Sequence, residues 1–515
     1  MLNPSILPRD YQKAIFETAK NKNTLVVLPT GVGKTLIAIM LAIERINKFP
    51  TSKILMLAPT KPLVEQHFQS FQKALPELFA DLQLFTGEIP AEKRKKIWQT
   101  AEIIFSTPQC IANDLNRSLY DLNEVSLLVI DEAHRCLKNY DYTSVVNFYK
   151  NQSQNTLILG LTASPGHDSI KVKEICNHLS IENVEIRSRE SEDVKPYLQE
   201  LDFRKVEVPF PQEFIEIKTL LARLYNNKVD QLRNRRLLFG PANKITLLKI
   251  QTNLAKQANA RNFNALAGMS LTAQAIKISH ALELLETQTL SGLSLYLENL
   301  KQQAEQKKSK GVQTLVNSPE FQATLISLKQ LKEKQIEHPK LEELKVLIEN
   351  EFQENPNSKV IVFAQFRETV QRIIETLKSI PNVNPSIFIG QATKSKASQG
   401  LSQKDQKRII QEFREGKINI LAATSIGEEG LDIPEVNAVF FYEPIPSEIR
   451  KIQRAGRTAR LAPGKLFILI TKDTRDQAHH YASIAREKKM YKTLDTIKDE
   501  MANNKNKEKS LLDFK

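Results

Sequence analysis

Short apolar runs alternate with helical segments along the first part of the chain. The runs are Thr24–Leu28, Lys53–Ala58, Ile103–Ser106, Leu127–Ile130 and Thr156–Leu161. Continuous apolar strands separated by helices are typical of a parallel sheet that is covered on both faces. The pattern therefore predicts an α/β lobe, which we assign to residues 1–205.

The periodicity changes in the middle of the chain and later changes back. Between Phe210 and His338 the strand signals stop, and apolar residues recur at helical spacing, as at Ile278, Leu282 and Leu285. We assign a helical insert to residues 206–338. Strand signals return at Lys359–Ala364, Ile418–Ala422, Ala438–Tyr442 and Lys465–Ile470. These runs predict a second α/β lobe, assigned to residues 339–490.

The end of the chain is polar and rich in lysine. Residues 491–515 are predicted to form a flexible basic tail, because such a composition does not support a core. The predicted fold class is thus α/β, with two parallel-sheet lobes and an inserted all-helical domain.

Composition narrows the class of partner and the compartment. The 515 residues include 73 lysines and arginines against 59 aspartates and glutamates, a net charge of +14. This balance favours a polyanionic partner, although an evenly basic soluble surface would give the same count. The three cysteines include no CxxC pair, which argues against a disulfide framework or zinc knuckle and indicates a reducing compartment. Without a signal sequence or an apolar run of about 18 residues, we expect a cytoplasmic, nucleoid-associated protein with no membrane partner.

A glycine-rich turn follows the first apolar strand. Thr30-Gly31-Val32-Gly33-Lys34-Thr35 leads from that strand into a helical run. In this context, backbone N–H groups and a lysine can cradle a triphosphate, and a threonine hydroxyl can bind Mg²⁺. We predict an ATP site at residues 30–35, with Lys34 on the β- and γ-phosphates and Thr35 on the metal. Leu28 stands where the general P-loop pattern has its first glycine.

Two carboxylates close another buried strand. Leu127–Ile130 runs directly into Asp131-Glu132-Ala133-His134, and ligands bind beyond the carboxyl ends of the strands in such sheets. Asp131 is predicted to hold Mg²⁺, and Glu132 to orient and activate the attacking water. A solvated acidic turn is the alternative interpretation.

With these motifs the chain resembles the DEAH-box helicases of superfamily 2. Pro8-Arg9-Asp10-Tyr11-Gln12 looks like the family's upstream element, which implies that Gln12 contacts adenine with Arg9 nearby. Further matches, in the family's order, are Ala58–Leu63, Thr86-Gly87, Thr107-Pro108-Gln109 and Leu161–Gly166. The resemblance implies two RecA-like lobes that close over ATP and Mg²⁺, with Thr162 and Ser164 linking the ATP state to lobe movement.

The resemblance also implies contacts to nucleic acid and to the γ-phosphate. The nucleic-acid contacts would be Thr60, Lys61, Thr86, Gly87 and Thr107 in the first lobe and Thr424 and Ser425 in the second, which grip phosphates without reading sequence. Gly430 and Asp432 would face the nucleotide. Gln453, Arg457 and Arg460 would lie against the γ-phosphate, with both arginines as candidate arginine fingers. A solvated basic helix is the alternative for this last segment.

The helical insert resembles that of one group within this superfamily. Asp193–Tyr197 and Lys277–Gln288 are similar to segments of archaeal Hef and eukaryotic Fanconi anaemia M helicases, whose insert recognises branched DNA. The basic residues that could neutralise phosphates, or simply form a basic solvent face, are Arg233, Arg235, Arg236, Lys244 and Lys249. A related insert occurs in sensors of double-stranded RNA, so the choice between DNA and RNA stays open.

Three short features concern partners. Hef proper carries a nuclease domain after the motor, whereas this chain stops soon after the second lobe, so we expect no nuclease in this polypeptide and a separate nuclease as partner. Lys509–Lys515 resembles a degraded sliding-clamp-binding peptide, or is a tail with incidental apolar residues. The basic run Lys93–Lys96 is interpreted as the solvated face of a helix and not as a specific binding patch.

The predicted function is an ATP-dependent DNA helicase or translocase that acts on forked or branched DNA in repair or replication-fork restart, with 3′-to-5′ movement implied by the resemblance. One alternative is an RNA-dependent ATPase or RNA helicase of the same fold. The other is a non-catalytic branched-DNA scaffold that recruits a clamp or nuclease, against which the P-loop and the acidic pair argue.

Overall fold

The computed structural model describes residues 2–138, 140–257, 262–390, 400–424, 433–456, 458 and 462–512, without the side chains of 448, 451, 453 and 504–512. Within these residues the first lobe contains seven parallel strands: β1 (Thr24–Val27), β2 (Lys53–Leu57), β3 (Leu82–Phe85), β4 (Ile103–Ser106), β5 (Val125–Asp131), β6 (Ile158–Thr162) and β7 (Asn183–Ile186). Their order in the sheet is β3-β4-β2-β5-β6-β1-β7.

Helices cover both faces of this sheet. They are α1 (Asp10–Ala19), α2 (Lys34–Lys48), α3 (Lys61–Ala74), α4 (Ala91–Thr100), α5 (Pro108–Asn116), α6 (Asp141–Gln152) and α7 (Ser169–His178). Along each central strand, alternate residues enter the two apolar cores; Leu55 and Leu57 enter one, and Ile54 and Met56 enter the other. Burial on both faces explains why these strands are continuous apolar runs in the sequence.

The second lobe has six strands among the described residues. Their order is β10-β11-β9-β12-β13-β8, with β8 (Leu201–Val208), β9 (Val360–Phe363), β10 (Pro385–Phe388), β11 (Ile420–Ala423), β12 (Ala438–Phe441) and β13 (Gly464–Thr471). The accompanying helices are α14 (Pro339–Glu354), α15 (Arg367–Leu377), α16 (Gln403–Arg414) and α17 (Glu448–Ala455), numbered after the insert helices given below.

Strand β8 lies where the predicted domain boundary was placed. It pairs with β13 along its whole length, from Leu201 opposite Gly464 to Val208 opposite Thr471. The boundary at residue 205 therefore cuts a strand that belongs entirely to the second sheet. The chain enters the second lobe before the insert and returns to it afterwards.

The insert is helical, as its periodicity predicted. Its helices are α8 (Ile215–Asn234), α9 (Lys244–Gln257), α10 (Phe263–Thr287), α11 (Leu290–Glu305), α12 (Lys310–Val316) and α13 (Pro319–Glu333). Ile278, Leu282 and Leu285 lie together in its apolar core. Short 3-10 helices occur at Ala133–Arg135 and Lys195–Tyr197, and at Gln212–Phe214 directly before α8.

The last helix, α18 (Arg475–Leu512), differs from the predicted flexible tail over 491–515. Met490, Leu494 and Ile497 are buried in an apolar core of the first lobe. Their spacing of four and three residues places them on one helical face, a signal that the polar composition of the segment obscured. None of the helices in the described ranges is long and apolar enough to span a membrane.

Candidate active site and nucleic-acid interface

The parallel strands of the first sheet place the predicted functional residues along one edge. The P-loop, the acidic pair and Thr162 follow or close β1, β5 and β6, which are neighbours in the sheet. The predicted nucleic-acid residues follow β3, β4 and β2, which are neighbours on the other side. The strand order thus divides the carboxyl edge into two halves, named here by their predicted ligands the nucleotide half and the nucleic-acid half.

The P-loop backbone has the conformation that its glycines allow. Gly31 and Gly33 have φ angles of 84° and 80°, in the left-handed region that side chains disfavour. The ammonium of Lys34 donates a hydrogen bond to the carbonyl oxygen of Leu28 at 3.2 Å, and Leu28 itself is fully buried. Because the Leu28 side chain belongs to the core, its departure from the glycine pattern leaves the loop intact.

Helix α1 holds the P-loop from one side. The Gln12 amide nitrogen donates to the carbonyl oxygens of Val32 and Gly33 at 3.3 and 3.2 Å, and its oxygen accepts from the Arg9 N–H at 2.8 Å. Tyr11, which sequence reasoning did not single out, donates its hydroxyl to Val32 at 2.5 Å. A Cβ at Gly33 would lie 2.6 Å from the Gln12 amide nitrogen, so this packing requires glycine there.

The acidic pair closes β5 beside the P-loop. Asp131 Oδ2 lies 2.8 Å from His67 Nε2, and the other ring nitrogen of His67 lies 3.5 Å from the Thr35 hydroxyl. Burial opposes ionisation of Asp131, but His67 and Lys34 hold its pKa below the ordinary value. Both predicted metal ligands thus contact a single imidazole. Sequence reasoning missed His67 because its partners are distant in the chain.

Glu132 adopts a strained backbone conformation at the strand end. Its φ angle is 51°, which is uncommon for a residue with a side chain. Its carboxylate lies 3.2 Å from His134 Nδ1, and that nitrogen also lies 3.2 Å from the Thr162 hydroxyl. Ser164, two residues later, donates its hydroxyl to the sulfur of Met490 in α18 at 2.9 Å. A chain of contacts therefore joins the acidic pair to the last helix.

The nucleic-acid half of the edge is only partly exposed. Thr60 and Thr107 lie at the starts of α3 and α5 and are half-buried, whereas the Thr86 side chain is buried and Gly87 is exposed. The Lys61 ammonium contacts Glu88 at 2.5 Å and Glu65 at 3.7 Å. The cation predicted to grip phosphate is thus paired with two carboxylates.

The second lobe approaches the P-loop closely. A Cβ at Gly456 would lie 1.5 Å from the Thr30 hydroxyl oxygen. Thr424 is buried after β11, and its N–H donates to Phe388 at 3.2 Å. The predictions for Ser425, Gly430, Asp432, Arg457 and Arg460, and for the side chain of Gln453, lie outside the described residues.

Three family models match the chain. "DEAD/DEAH box helicase" matches residues 9–172, "Helicase conserved C-terminal domain" matches 339–462, and "Putative ATP-dependent RNA helicase, helical bundle" matches 213–335. The crystal structure of the Pyrococcus furiosus Hef helicase domain is 41% identical, covers 92% of this chain and 98% of that one, and superposes with a TM-score of 0.69.

The chain belongs to the Hef-type helicases of superfamily 2. This confirms the resemblance drawn from the motifs and the fold of two α/β lobes with a helical bundle between them. Among the curated relatives, "Putative ATP-dependent RNA helicase MJ1505" of Methanocaldococcus jannaschii is 35% identical over 96% of the chain, and "ATP-dependent DNA helicase fml1" of Schizosaccharomyces pombe is 32% identical over 94%. The chain spans 62% and 59% of the lengths of these two relatives.

Proposed function

We propose that the chain is an ATP-dependent DNA helicase or translocase that acts on forked or branched DNA in repair or replication-fork restart, moving 3′-to-5′. The observation that supports this most directly is the divided carboxyl edge of the first sheet. Nucleotide groups and phosphate-gripping groups follow strands of one rigid sheet, so a change at one half can move the other. The name of the fml1 relative, an ATP-dependent DNA helicase, supports the preference for DNA.

The residues at the nucleotide half fit ATP and Mg²⁺. Two glycines with positive φ leave the loop backbone free to approach phosphates. Thr35 and Asp131 offer the oxygen ligands that a hard cation prefers, and they contact the two different ring nitrogens of His67, so Asp131 would hold a cation bound at Thr35 through water. The cation would neutralise charge on the β- and γ-phosphates. Lys34 would exchange the Leu28 carbonyl for phosphate oxygens, and Glu132 would orient the attacking water. Gln12 and Arg9 would contact the base.

Closure of the second lobe would complete the site. Gly456, which already lies against Thr30, follows the helix that carries Gln453. We propose that Gln453, Arg457 and Arg460 stabilise charge on the γ-phosphate, and that Gly430 and Asp432 face the nucleotide. Thr424 and Ser425, with the first-lobe contacts, would bind the tracked strand.

The insert would supply the preference for branches. Arg233, Arg235, Arg236, Lys244 and Lys249 are all exposed on it. Arg233 and Lys244 contact Asp230 and Glu283 at 3.3 and 3.5 Å, so phosphates would have to displace these carboxylates. A sliding clamp bound through the chain's last residues and a separate nuclease remain predictions from the sequence.

An RNA helicase is the second candidate. The family model that matches the insert and the Methanocaldococcus relative both carry RNA helicase in their names. Backbone contacts that grip phosphates do not by themselves distinguish the two polymers.

The test is steady-state ATP hydrolysis without nucleic acid and with single-stranded DNA, forked DNA, a four-way junction or double-stranded RNA, all at one salt concentration. We expect the strongest stimulation with forked or junction DNA. Lys34→Ala should abolish turnover and weaken ATP binding, whereas Asp131→Asn combined with Glu132→Gln should remove hydrolysis and retain some binding. Preferential stimulation by RNA would favour the RNA helicase, and normal hydrolysis in either variant would contradict the site assignment.

A further inference from the structure

One arginine of the basic run on α4 is buried. Lys93, Lys95 and Lys96 are exposed, as expected for a solvated helix face, but Arg94 is 7% exposed. Its guanidinium forms a two-pronged ion pair with Asp114 of α5, with Nε 2.7 Å from Oδ2 and Nη2 2.5 Å from Oδ1. A buried pair with both carboxylate oxygens engaged has a fixed geometry.

The remaining nitrogen of Arg94 reaches the loop that follows β3. Nη1 donates to the carbonyl oxygen of Thr86 at 3.3 Å and also to that of Ile89. The Ile89 N–H donates to the Thr86 carbonyl at 3.1 Å, so these residues form a turn with Gly87 at its exposed position. Arg94 therefore holds the turn by its backbone and leaves the outer face of the turn accessible.

The partner carboxylate is tied to a second predicted phosphate contact. Asp114 lies on α5, the helix that begins directly after Thr107. It also accepts a hydrogen bond from the Tyr120 hydroxyl at 2.9 Å, and the Tyr120 ring stacks on Trp98 of α4 with centroids 4.0 Å apart. The Arg94–Asp114 pair thus joins the Thr86-Gly87 turn, α4 and α5 into one unit.

We infer that Arg94 is a positioning residue for nucleic-acid binding, which fixes the spacing between the Thr86-Gly87 turn and the start of α5 at Thr107. The inference rests on the proposed function, in which both points contact the same phosphate backbone. Two contacts bind a regular polymer well only if their separation matches that of its phosphates, because rigid spacing removes the cost of ordering them on binding. Arg94 itself does not touch the polymer.

Arg94→Lys tests this role, because lysine keeps the charge but presents one ammonium in place of a planar fork. We expect the concentration of forked DNA that gives half-maximal ATPase stimulation to rise about 10-fold, the equivalent of one charge-assisted contact. The KM for ATP and the DNA-free rate should stay at their wild-type values. The slope of log binding constant against log salt should stay as in the wild type, because the contacts that loosen are uncharged and lysine keeps the charge at position 94.

Three further variants separate positioning from general damage. Lys95→Gln removes an exposed charge from the same helix and should shift half-maximal stimulation much less than Arg94→Lys. Asp114→Asn should reproduce the Arg94→Lys effect without adding to it in the double variant. Tyr120→Phe keeps the ion pair and loses one hydrogen bond to Asp114, so it should shift half-maximal stimulation about twofold even if the stronger variants fail to fold.

Two outcomes would count against the inference, and they differ. If wild-type hydrolysis is stimulated by DNA but folded Arg94→Lys and Tyr120→Phe proteins respond as wild type does, Arg94 has no positioning role. If no nucleic acid stimulates or binds the wild-type protein, the proposed function itself fails, and the inference fails with it.

Discussion

Glu443 is a fully buried carboxyl group just beyond strand β12. The charged groups that face it are Arg454, Lys340 and Asp476. Burial raises the pKa of Glu443 to about 7, although Arg454 and Lys340 oppose the shift. The side chain lies where the second sheet meets the insert, since Lys340 also donates to the carbonyl oxygens of Thr287 and Tyr442.

This raised pKa predicts a stability that depends on pH. A glutamate in the unfolded chain has a pKa near 4.3. Between about pH 4 and the folded pKa of about 7, the folded protein therefore keeps a proton on Glu443 that the unfolded chain releases. The free energy of unfolding therefore falls as pH rises through this window. Above the window, the accumulated loss is on the order of 3 kcal/mol. Glu443→Gln, which is neutral at every pH, should stabilise the protein more at about pH 8 than at about pH 5.

Thermal unfolding followed by circular dichroism at both pH values measures the difference. Glu342→Gln, at an exposed position of α14, corrects for the general effect of removing one carboxylate. An equal gain in melting temperature for Glu443→Gln at both pH values would show that this carboxyl is not protonated in the folded protein.

Positions that depend on local sequence were predictable, and contacts with partners that are distant in the chain were not. The P-loop and the acidic pair are contiguous motifs after apolar strands, and the structure places both at one end of the sheet. His67 meets Asp131 across 64 positions and Arg94 meets Asp114 across 20. The sequence on either side of His67 and Arg94 does not distinguish them from other polar residues of an amphipathic helix.

Helix α18 is the clearest case in which one element depends on both lobes. Asp476 in its first turn forms a buried ion pair with Lys340 of the second lobe, while Leu494 and Ile497 are buried in the first lobe. Lys173 of the first lobe contacts Glu500 at 2.7 Å. The helix therefore contributes to the core of a domain that precedes it by several hundred residues.

Leu494→Ala should destabilise the first lobe by about 2–5 kcal/mol, the usual cost of a cavity left by a fully buried leucine. The exposed neighbour Lys498→Ala, on the same helix, should change stability by less than about 0.5 kcal/mol. Urea unfolding of both variants measures the difference. A Leu494→Ala protein as stable as the Lys498→Ala protein would show that α18 is not part of the first-lobe core in solution.

At the scale of elements, the strands that the sequence pattern missed share one property. The central strands were predicted because both faces are buried, but β3, β7, β8 and β10 were not. These four are the edge strands of the two sheets. Each is largely half-buried or exposed, with one buried residue apiece. An edge strand with one covered face leaves a weak apolar signal, which is also why the boundary at residue 205 fell inside β8.

At the scale of the whole molecule, the two lobes meet at several places in the described residues, and three of them tie different elements together. Gly456 lies against Thr30, Lys407 of α16 contacts Glu65 of α3 at 3.6 Å, and α18 packs on the first lobe. A cavity of about 260 Å³ lies between them, lined by Thr30, Ile452 and other residues of both lobes. The motifs predicted that the lobes face each other, but the spacing depends on these contacts, which no local pattern specifies.

The contact at Gly456 predicts how tightly that spacing is set. Gly456 has a φ angle of −70°, which alanine adopts freely, so Gly456→Ala changes the space available and leaves the local backbone unstrained. The new Cβ would lie 1.5 Å from the Thr30 oxygen and 2.6 Å from the Thr30 Cβ, so the lobes or the P-loop must shift. Because a displacement of about 1 Å can lower a rate about 100-fold, we expect a loss of that order in DNA-stimulated turnover.

Nucleotide binding separates the two ways in which that loss could arise. The P-loop, the acidic pair and Gln12 all belong to the first lobe, so binding of a fluorescent ATP analogue should be retained if Gly456→Ala only moves the lobes apart. A matching loss of binding would instead place the shift in the P-loop at Thr30. Full turnover in the variant would mean that the contact between Gly456 and Thr30 does not set a spacing of the lobes that hydrolysis requires.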